Sequence, residues 1–315
     1  MSNSTNKQNV NEYEYLNLIR NVINDGIWEE SRNGKTKEIF GYTMRFSLKD
    51  SVLPLITTKK FAWKTCLKEL LWFIKGKMDV RLLQKENVKI WDLNTTREFL
   101  DSVGLTSYPE GIPGPIYGHQ WRNFNGEYFL DVNSDNSDNL DNPNVNVVNF
   151  DNENNGYDQL QEIIDCLKDP AKRNSRRLIM SAWNPCQLKQ MCLPPCHVLC
   201  QFRVLNGNEL SCILFQRSGD IGLGVPFNIA SYAFLTILLA HHCDLIPSEF
   251  IHTIGSAHIY EDHIEPLMQQ IERTPFSQPT VQIKVKRDNI DDYVIDDFEV
   301  SDYETHPPIS MKMSA

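Results

Sequence analysis

Cys192, Cys196, His197 and Cys200 fall within the eleven residues MCLPPCHVLCQ, 191–201. Such a density of thiols and imidazole admits a metal cage, a disulfide beside a spare thiol, or one reactive thiol among structural neighbours. The opening residues MSNSTNKQNVNEYEY lack a basic stretch followed by an apolar one, so no secretory or transit signal is read. The expected location is the cytoplasm, with the nucleus as a second one. In a reducing compartment the eight cysteines are buried, catalytic or metal-bound in preference to bridged. A zinc cage needs convergent ligands, usually from two separate knuckles, and no second knuckle follows, so no metal is expected. Cys196 differs from its neighbours because Pro194 and Pro195 hold an extended approach to it at a strand start, the kind of fixed position a nucleophile needs. Cys192 and Cys200 read as small buried hydrophobes, and a lone thiol such as Cys196 has that reading open to it too.

Several polar residues elsewhere bear on the choice. Arg176 and Arg177 precede the apolar Leu178-Ile179-Met180, Gln216-Arg217-Ser218-Gly219-Asp220 ends another strand-like run, and Arg32 sits in an early turn. Each arginine alone reads as a solvated charge. Together they suggest an anion site, since guanidinium forks match phosphate oxygens, the Ser218 hydroxyl adds a donor and Gly219 admits a close backbone approach. A phosphate there is expected to lower the thiol pKa of Cys196. The P-loop motif is absent, and Gly222-Leu223-Gly224 fails the dinucleotide fingerprint. Glu69 lies among Leu70, Leu71, Trp72 and Phe73, where a carboxylate needs a partner or a raised pKa. Asn228 suits a helix cap or, with one donor and one acceptor, the reading of a base. His258 and Tyr260 share a face if their segment is extended, though core packing is their plainer reading.

The elements that must hold these groups are legible in outline. Apolar spacing predicts helices over Glu12–Asn24, stopped by Gly26, and Ala62–Lys75, stopped by Gly76. The run Lys37–Leu48 predicts a strand or hairpin after the Arg32-Asn33-Gly34 turn. Val198–Val204 and Glu209–Phe215 flank Asn206-Gly207, a strong hairpin signal. From Pro226 to Ala240 a helix apolar on nearly every face should be the central buried one, with Asn228, Ser231 and Thr236 interrupting it too often for a membrane span.

A formal net charge of -10 argues against nucleic-acid and membrane-surface binding. Residues 131–156 hold five Asp, one Glu and ten Asn with no Lys or Arg, and read as a flexible surface insertion without catalytic spacing. With no other linker, 1–315 reads as one domain.

These stretches also carry a family resemblance. Leu193-Pro-Pro-Cys-His197, Gln216-Arg-Ser-Gly-Asp220, Gly224-Val-Pro-Phe-Asn-Ile-Ala-Ser-Tyr232, Arg176-Arg177, Glu69-Leu-Leu-Trp-Phe73, Gly114-Pro-Ile-Tyr-Gly118 and His258-Ile-Tyr260 occur in order. From Tyr13 to Ala315 the chain resembles the thymidylate synthase family, in a fungal-type form with an Asn/Asp-rich insertion. The resemblance implies an α+β fold, a single domain with a mixed sheet packed against a long buried helix. It implies reductive methylation of deoxyuridylate (dUMP) to thymidylate (dTMP), with 5,10-methylenetetrahydrofolate giving the one-carbon unit and the hydride and leaving as dihydrofolate.

By the same resemblance Cys196 adds to carbon 6 of the pyrimidine. Arg32, Arg217 and Ser218, with Arg176 and Arg177 from the second subunit of a homodimer, hold the phosphate beside Gln216 and Gly219. Asn228 reads the pyrimidine edge, the Asp220 amide meets a ring oxygen, and His258 and Tyr260 meet the ribose. Glu69 manages proton transfers through water, helped by Tyr117. Trp91, Asn94, Asp220, Leu223 and Phe227 line the folate site, and the Pro307–Ala315 tail, Ser314 included, closes over it. No metal, membrane or DNA partner is implied. Ser256 departs from the family pattern, standing where an acidic residue is common. His197, despite adjoining Cys196, is expected to be turned away by strand alternation. Two other functions stay open: a non-enzymatic protein whose arginines hold a phosphorylated ligand, and transfer of a hydroxymethyl group to a pyrimidine nucleotide, which Asn228 disfavours.

Overall fold

The apolar stripe starting at Tyr15 forms α1 (Val10–Asp25). At its end Gly26 is required by crowding, because a Cβ there would lie 2.5 Å from the Val22 carbonyl oxygen. The computed structural model describes residues 9–31, 34–128 and 156–313. Arg32, Ser314 and all but the last residue of the 131–156 segment lie outside the described residues. After α1 come β1 (Ile27–Ser31), β2 (Gly34–Ser47), α2 (Trp63–Ile74), α3 (Val80–Lys85), α4 (Arg97–Ser102), α5 (Tyr117–Arg122) and α6 (Gln159–Lys168). The order continues with β3 (Ile179–Ser181), β4 (His197–Leu205), β5 (Glu209–Asp220), α7 (Gly224–His242), β6 (Ile246–Tyr260), α8 (Ile264–Ile271), β7 (Thr280–Ile283) and β8 (Phe298–Ser301).

Two compact units divide these elements. The first comprises Met1–Leu67, Ile164–Ile179 and Cys196–Ala315, and the second Lys68–Ile163 and Met180–Pro195. In the first unit β1, β2, β6, β5 and β4 lie side by side in that order. The sheet is mixed, as expected: β5 and β6 run parallel, and the other pairs among these five are antiparallel. The β4–β5 hairpin turns at Asn206 (φ 49°) and Gly207 (φ 86°), the left-handed pair that an Asn-Gly turn supplies at low cost.

Parallel strands need a crossover, and α7 is that connection between β5 and β6. It packs against both strands. Its 19 residues are apolar enough to cross a membrane by length and composition. Yet Ile229, Ala230, Phe234, Leu235, Leu238 and Leu239 are fully buried, as the uniformly apolar sequence predicts for a core helix. Pro226 falls in its first turn, where a missing N–H costs nothing.

The second unit is built around rings. Phe73 of α2 lies 5.0 Å from Tyr117 and 5.7 Å from Trp121 of α5, measured between centroids, and Trp91 completes the group 6.2 Å from Tyr117. All four residues are buried.

Candidate active site

In the first unit the ends of β4 and β5 and the start of α7 converge. Cys196, half-buried, immediately precedes β4, and its carbonyl accepts from the Arg217 amide at 2.9 Å. The Arg217 guanidinium returns to the same residue, with Nη2 3.6 Å from Cys196 Sγ. Burial raises the Cys196 thiol pKa, and the Arg217 cation opposes the rise by favouring thiolate. The expectation that a phosphate would lower this pKa has the wrong sign, because a nearby anion disfavours thiolate and the activating charge is the arginine's. Cys192 and Cys200 are 2% and 1% exposed and burial pushes both thiols upward, Cys192 to about 12.

Beside Cys196 runs a chain of side-chain hydrogen bonds. Gln216 Nε2 donates to the Ser218 carbonyl at 2.8 Å and to Asn228 Oδ1 at 2.9 Å. Asn228 Nδ2 in turn lies 2.7 Å from His197 Nε2, and His252 Nε2 lies 2.8 Å from Gln216 Oε1. Burial pushes His197 down to about 4 and His252 to about 3, so both imidazoles are neutral near pH 7. Cys196 thus meets Arg217, while the next residue, His197, meets Asn228 in the chain that starts at Gln216. β4 opens at His197, and its register with β5 shifts beyond that residue, between His197 and Leu199.

His258 and Tyr260 end β6 on a shared face, their rings 5.5 Å apart. Ser256, on the same strand, donates to Glu38 Oε2 at 2.7 Å, so a carboxylate reaches this position from β2. Asp220 ends β5 and accepts from the Gly222 amide at 2.9 Å, while the buried Lys59 ammonium donates to the Gly222 carbonyl at 2.6 Å. Burial lowers Lys59 to about 8. Leu223 immediately precedes α7, and Phe227 in its first turns meets Phe61 edge-on at 4.8 Å. His263 Nε2 lies 2.7 Å from the Lys312 carbonyl, which ties down the chain just before Ser314. Arg176 and Arg177 are exposed ahead of β3.

The second unit holds Glu69, Trp91, Asn94 and Tyr117. Glu69 projects from α2, and its Oε1 accepts from Trp91 Nε1–H at 2.7 Å. Burial drives its carboxyl up to about 7 against that hydrogen bond. A group poised near neutrality can both take and give a proton. Tyr117 starts α5 against Trp91, and Asn94 lies in the short turn after Trp91.

Residues 13–315 match the family described as thymidylate synthase. Human thymidylate synthase is 48% identical over 304 residues, which are 96% of this chain and 90% of the human protein. The chain belongs to the thymidylate synthase family. The bifunctional dihydrofolate reductase-thymidylate synthase of Leishmania amazonensis is 48% identical over 310 residues, 98% of this chain but 56% of that protein. The second such enzyme of Arabidopsis thaliana is 46% identical over 304 residues, 96% of this chain and 50% of its own length. The chain thus spans about half the length of these bifunctional relatives. Members of the thymidylate synthase family are methyltransferases that use methylenetetrahydrofolate as co-substrate.

Sequence reading missed His197, His252, Lys59 and His263 as parts of this neighbourhood. For His252 one signal was available: it stands six residues before His258, an even spacing that puts the two on one face of a strand.

Proposed function

We propose that this chain performs the family's reaction, reductive methylation of dUMP to dTMP, through a covalent bond between Cys196 and carbon 6 of the pyrimidine. The observation that supports it best is the approach of the Arg217 guanidinium to Cys196 Sγ, 3.6 Å away, beside the Gln216–Asn228 amide pair. A soft thiolate suits conjugate addition to carbon 6. The addition turns carbon 5, a poor nucleophile in uracil, into an enolate carbon, and so divides one hard step into easier ones. Expulsion of the thiolate at the end restores the ring double bond. The folate supplies the methylene and the hydride.

The remaining assignments belong to the same proposal. Arg217, Ser218 and Arg32 bind the phosphate with Gln216 and Gly219 beside them, and Arg176 and Arg177 serve the other subunit of a homodimer. Asn228 pairs with the uracil edge, the Asp220 amide with a ring oxygen, and His258 and Tyr260 with the ribose. Asp220, Leu223 and Phe227, with Trp91, Asn94 and Ser314, receive the folate. The Asp220 carboxylate, which already accepts from Gly222, keeps lone pairs for a pterin N–H, and the Phe227 ring offers an apolar face. Glu69, aided by Tyr117, moves protons through water. Residues 1–315 act as one catalytic domain of a cytoplasmic and nuclear enzyme. Its fungal-type character rests on the Asn/Asp composition of 131–156.

Incubation with 5-fluorodeoxyuridylate and methylenetetrahydrofolate tests the reading. Peptide mass spectrometry is expected to find a covalent adduct containing both on Cys196. An adduct on Cys192 or Cys200, no adduct at all, or turnover by Cys196→Ser would reject it.

A further inference from the structure

The register of three adjacent strands brings His197, Gln216 and His252 together under the start of α7. His197 of β4 is the partner of Gln216 of β5, while His252 of β6 pairs with Leu214 and so stands diagonally next to Gln216. Asn228 reaches this row from α7.

Every hydrogen bond in the row has a forced direction. The Ser218 carbonyl can only accept, so the group facing it at 2.8 Å is the Gln216 amide nitrogen. The Gln216 oxygen therefore faces His252, and since that oxygen also only accepts, the proton of the neutral His252 ring is on Nε2. Its Nδ1 is then bare, and it is buried with no partner among the described residues. The second Gln216 hydrogen meets Asn228 Oδ1, which leaves Asn228 Nδ2 to donate to a bare Nε2 of His197. Donation runs one way, from His252 through Gln216 and Asn228 to His197.

That direction has a consequence for base choice. Asn228 keeps one amide hydrogen and one oxygen lone pair for a ligand. Uracil offers an acceptor at position 4 and a donor at N3, and cytosine offers the reverse. To pair with cytosine Asn228 must turn its amide over. Nδ2 would then face the donor Nε2 of Gln216, and Oδ1 the bare Nε2 of His197. Relief would need Gln216 to turn over as well, and its oxygen would then face the Ser218 carbonyl and its nitrogen the His252 N–H. We infer that His252 is a positioning residue, whose Nε2–H acts with the Ser218 carbonyl to lock the direction of the amide relay and with it the preference of Asn228 for uracil over cytosine. This rests on the proposed role of Asn228 as the base contact.

Two measurements test it. In the unmutated protein, long-range proton–nitrogen correlation spectra of the imidazoles should show His252 protonated on Nε2 and His197 on Nδ1 at pH 7. The opposite tautomer at either ring would overturn the inference whether or not any variant folds. The second measurement is the ratio of dissociation constants for deoxycytidylate over dUMP. His252→Leu, which lacks a donor, should lower the ratio about tenfold, and His252→Gln, which keeps an N–H in reach, should restore it to within about threefold. A folded His252→Leu with an unchanged ratio, or a His252→Gln no better than Leu, would overturn the lock. Asn228→Ala run alongside separates the two claims. If it leaves the ratio unchanged the base-contact reading fails, whereas a ratio that falls in Asn228→Ala but not in His252→Leu defeats the lock alone.

Discussion

Two carboxylates, one in each unit, Glu12 buried and Glu69 half-buried, are solvated in opposite ways. Glu12 of α1 is 2% exposed and accepts from five donors: the amide and hydroxyl of Thr57, the amide and hydroxyl of Thr58, and Asn9 Nδ2. Burial still raises its pKa, with the threonine donors pulling against it. Glu69 has one donor among the described residues, Trp91 Nε1, and burial pushes its carboxyl up to about 7. Burial alone therefore does not mark a group for chemistry. A carboxylate whose lone pairs are filled is a joint between segments, and one left with spare acceptor capacity and a proton affinity near neutrality is available to a substrate.

The largest separation between them should come from the isosteric amides. Glu69→Gln is expected to lower kcat for dTMP formation by about 10² to 10⁴-fold, the usual contribution of a proton-transfer group, while the melting temperature changes little. A variant with more than a tenth of the original kcat would remove Glu69 from the reaction. Glu12→Gln presents an NH2 to donors that have lost their acceptor, so about 3 kcal/mol of stability should go, a fall in melting temperature of roughly 5–10 °C. Its kcat well below the transition should stay within about threefold of the original. Loss of activity without loss of stability would show that Glu12 is more than a joint.

The pH dependence of stability sharpens the contrast. Because the folded-state pKa of Glu69 is raised from 4.5 to about 7, folding favours its protonated form. The stability this contributes is complete below about 4.5 and is lost as pH rises through 7. Denaturant unfolding from pH 4.5 to 8 should therefore show the original protein losing stability relative to Glu69→Gln, with the difference flat at higher pH. A difference that grows in the other direction would mean the carboxylate is held ionised.

How much of this was legible in sequence depends on the range of the contacts. The Asn206-Gly207 turn and the core helix α7 could be read because their signals are local: a dipeptide with left-handed conformers and an unbroken apolar run. The oddity of Glu69 was also local, since it interrupts Leu70-Leu71-Trp72-Phe73. Its partner Trp91, 22 positions on, was not. Glu12 looks like any acid in a first helical turn until Thr57 and Thr58 fold onto it. The amide relay was the least legible part, because the His252–Gln216 contact spans 36 positions and depends on parallel register between β5 and β6.

The smallest effect should come from removing one donor at each carboxylate. Trp91→Phe keeps the ring and the burial around Glu69 but deletes the N–H that stabilises its charged form. With only burial left to act, the Glu69 pKa should rise further, by about one unit. Thr58→Val deletes one of five donors at Glu12, and the four that remain can tighten on the charge, so the Glu12 pKa should rise by less. Carboxyl carbon shifts followed by NMR titration report both values directly. An equal rise in the two variants would mean that donor number does not set the difference between the sites, and the contrast would then rest on the desolvation of Glu69 alone.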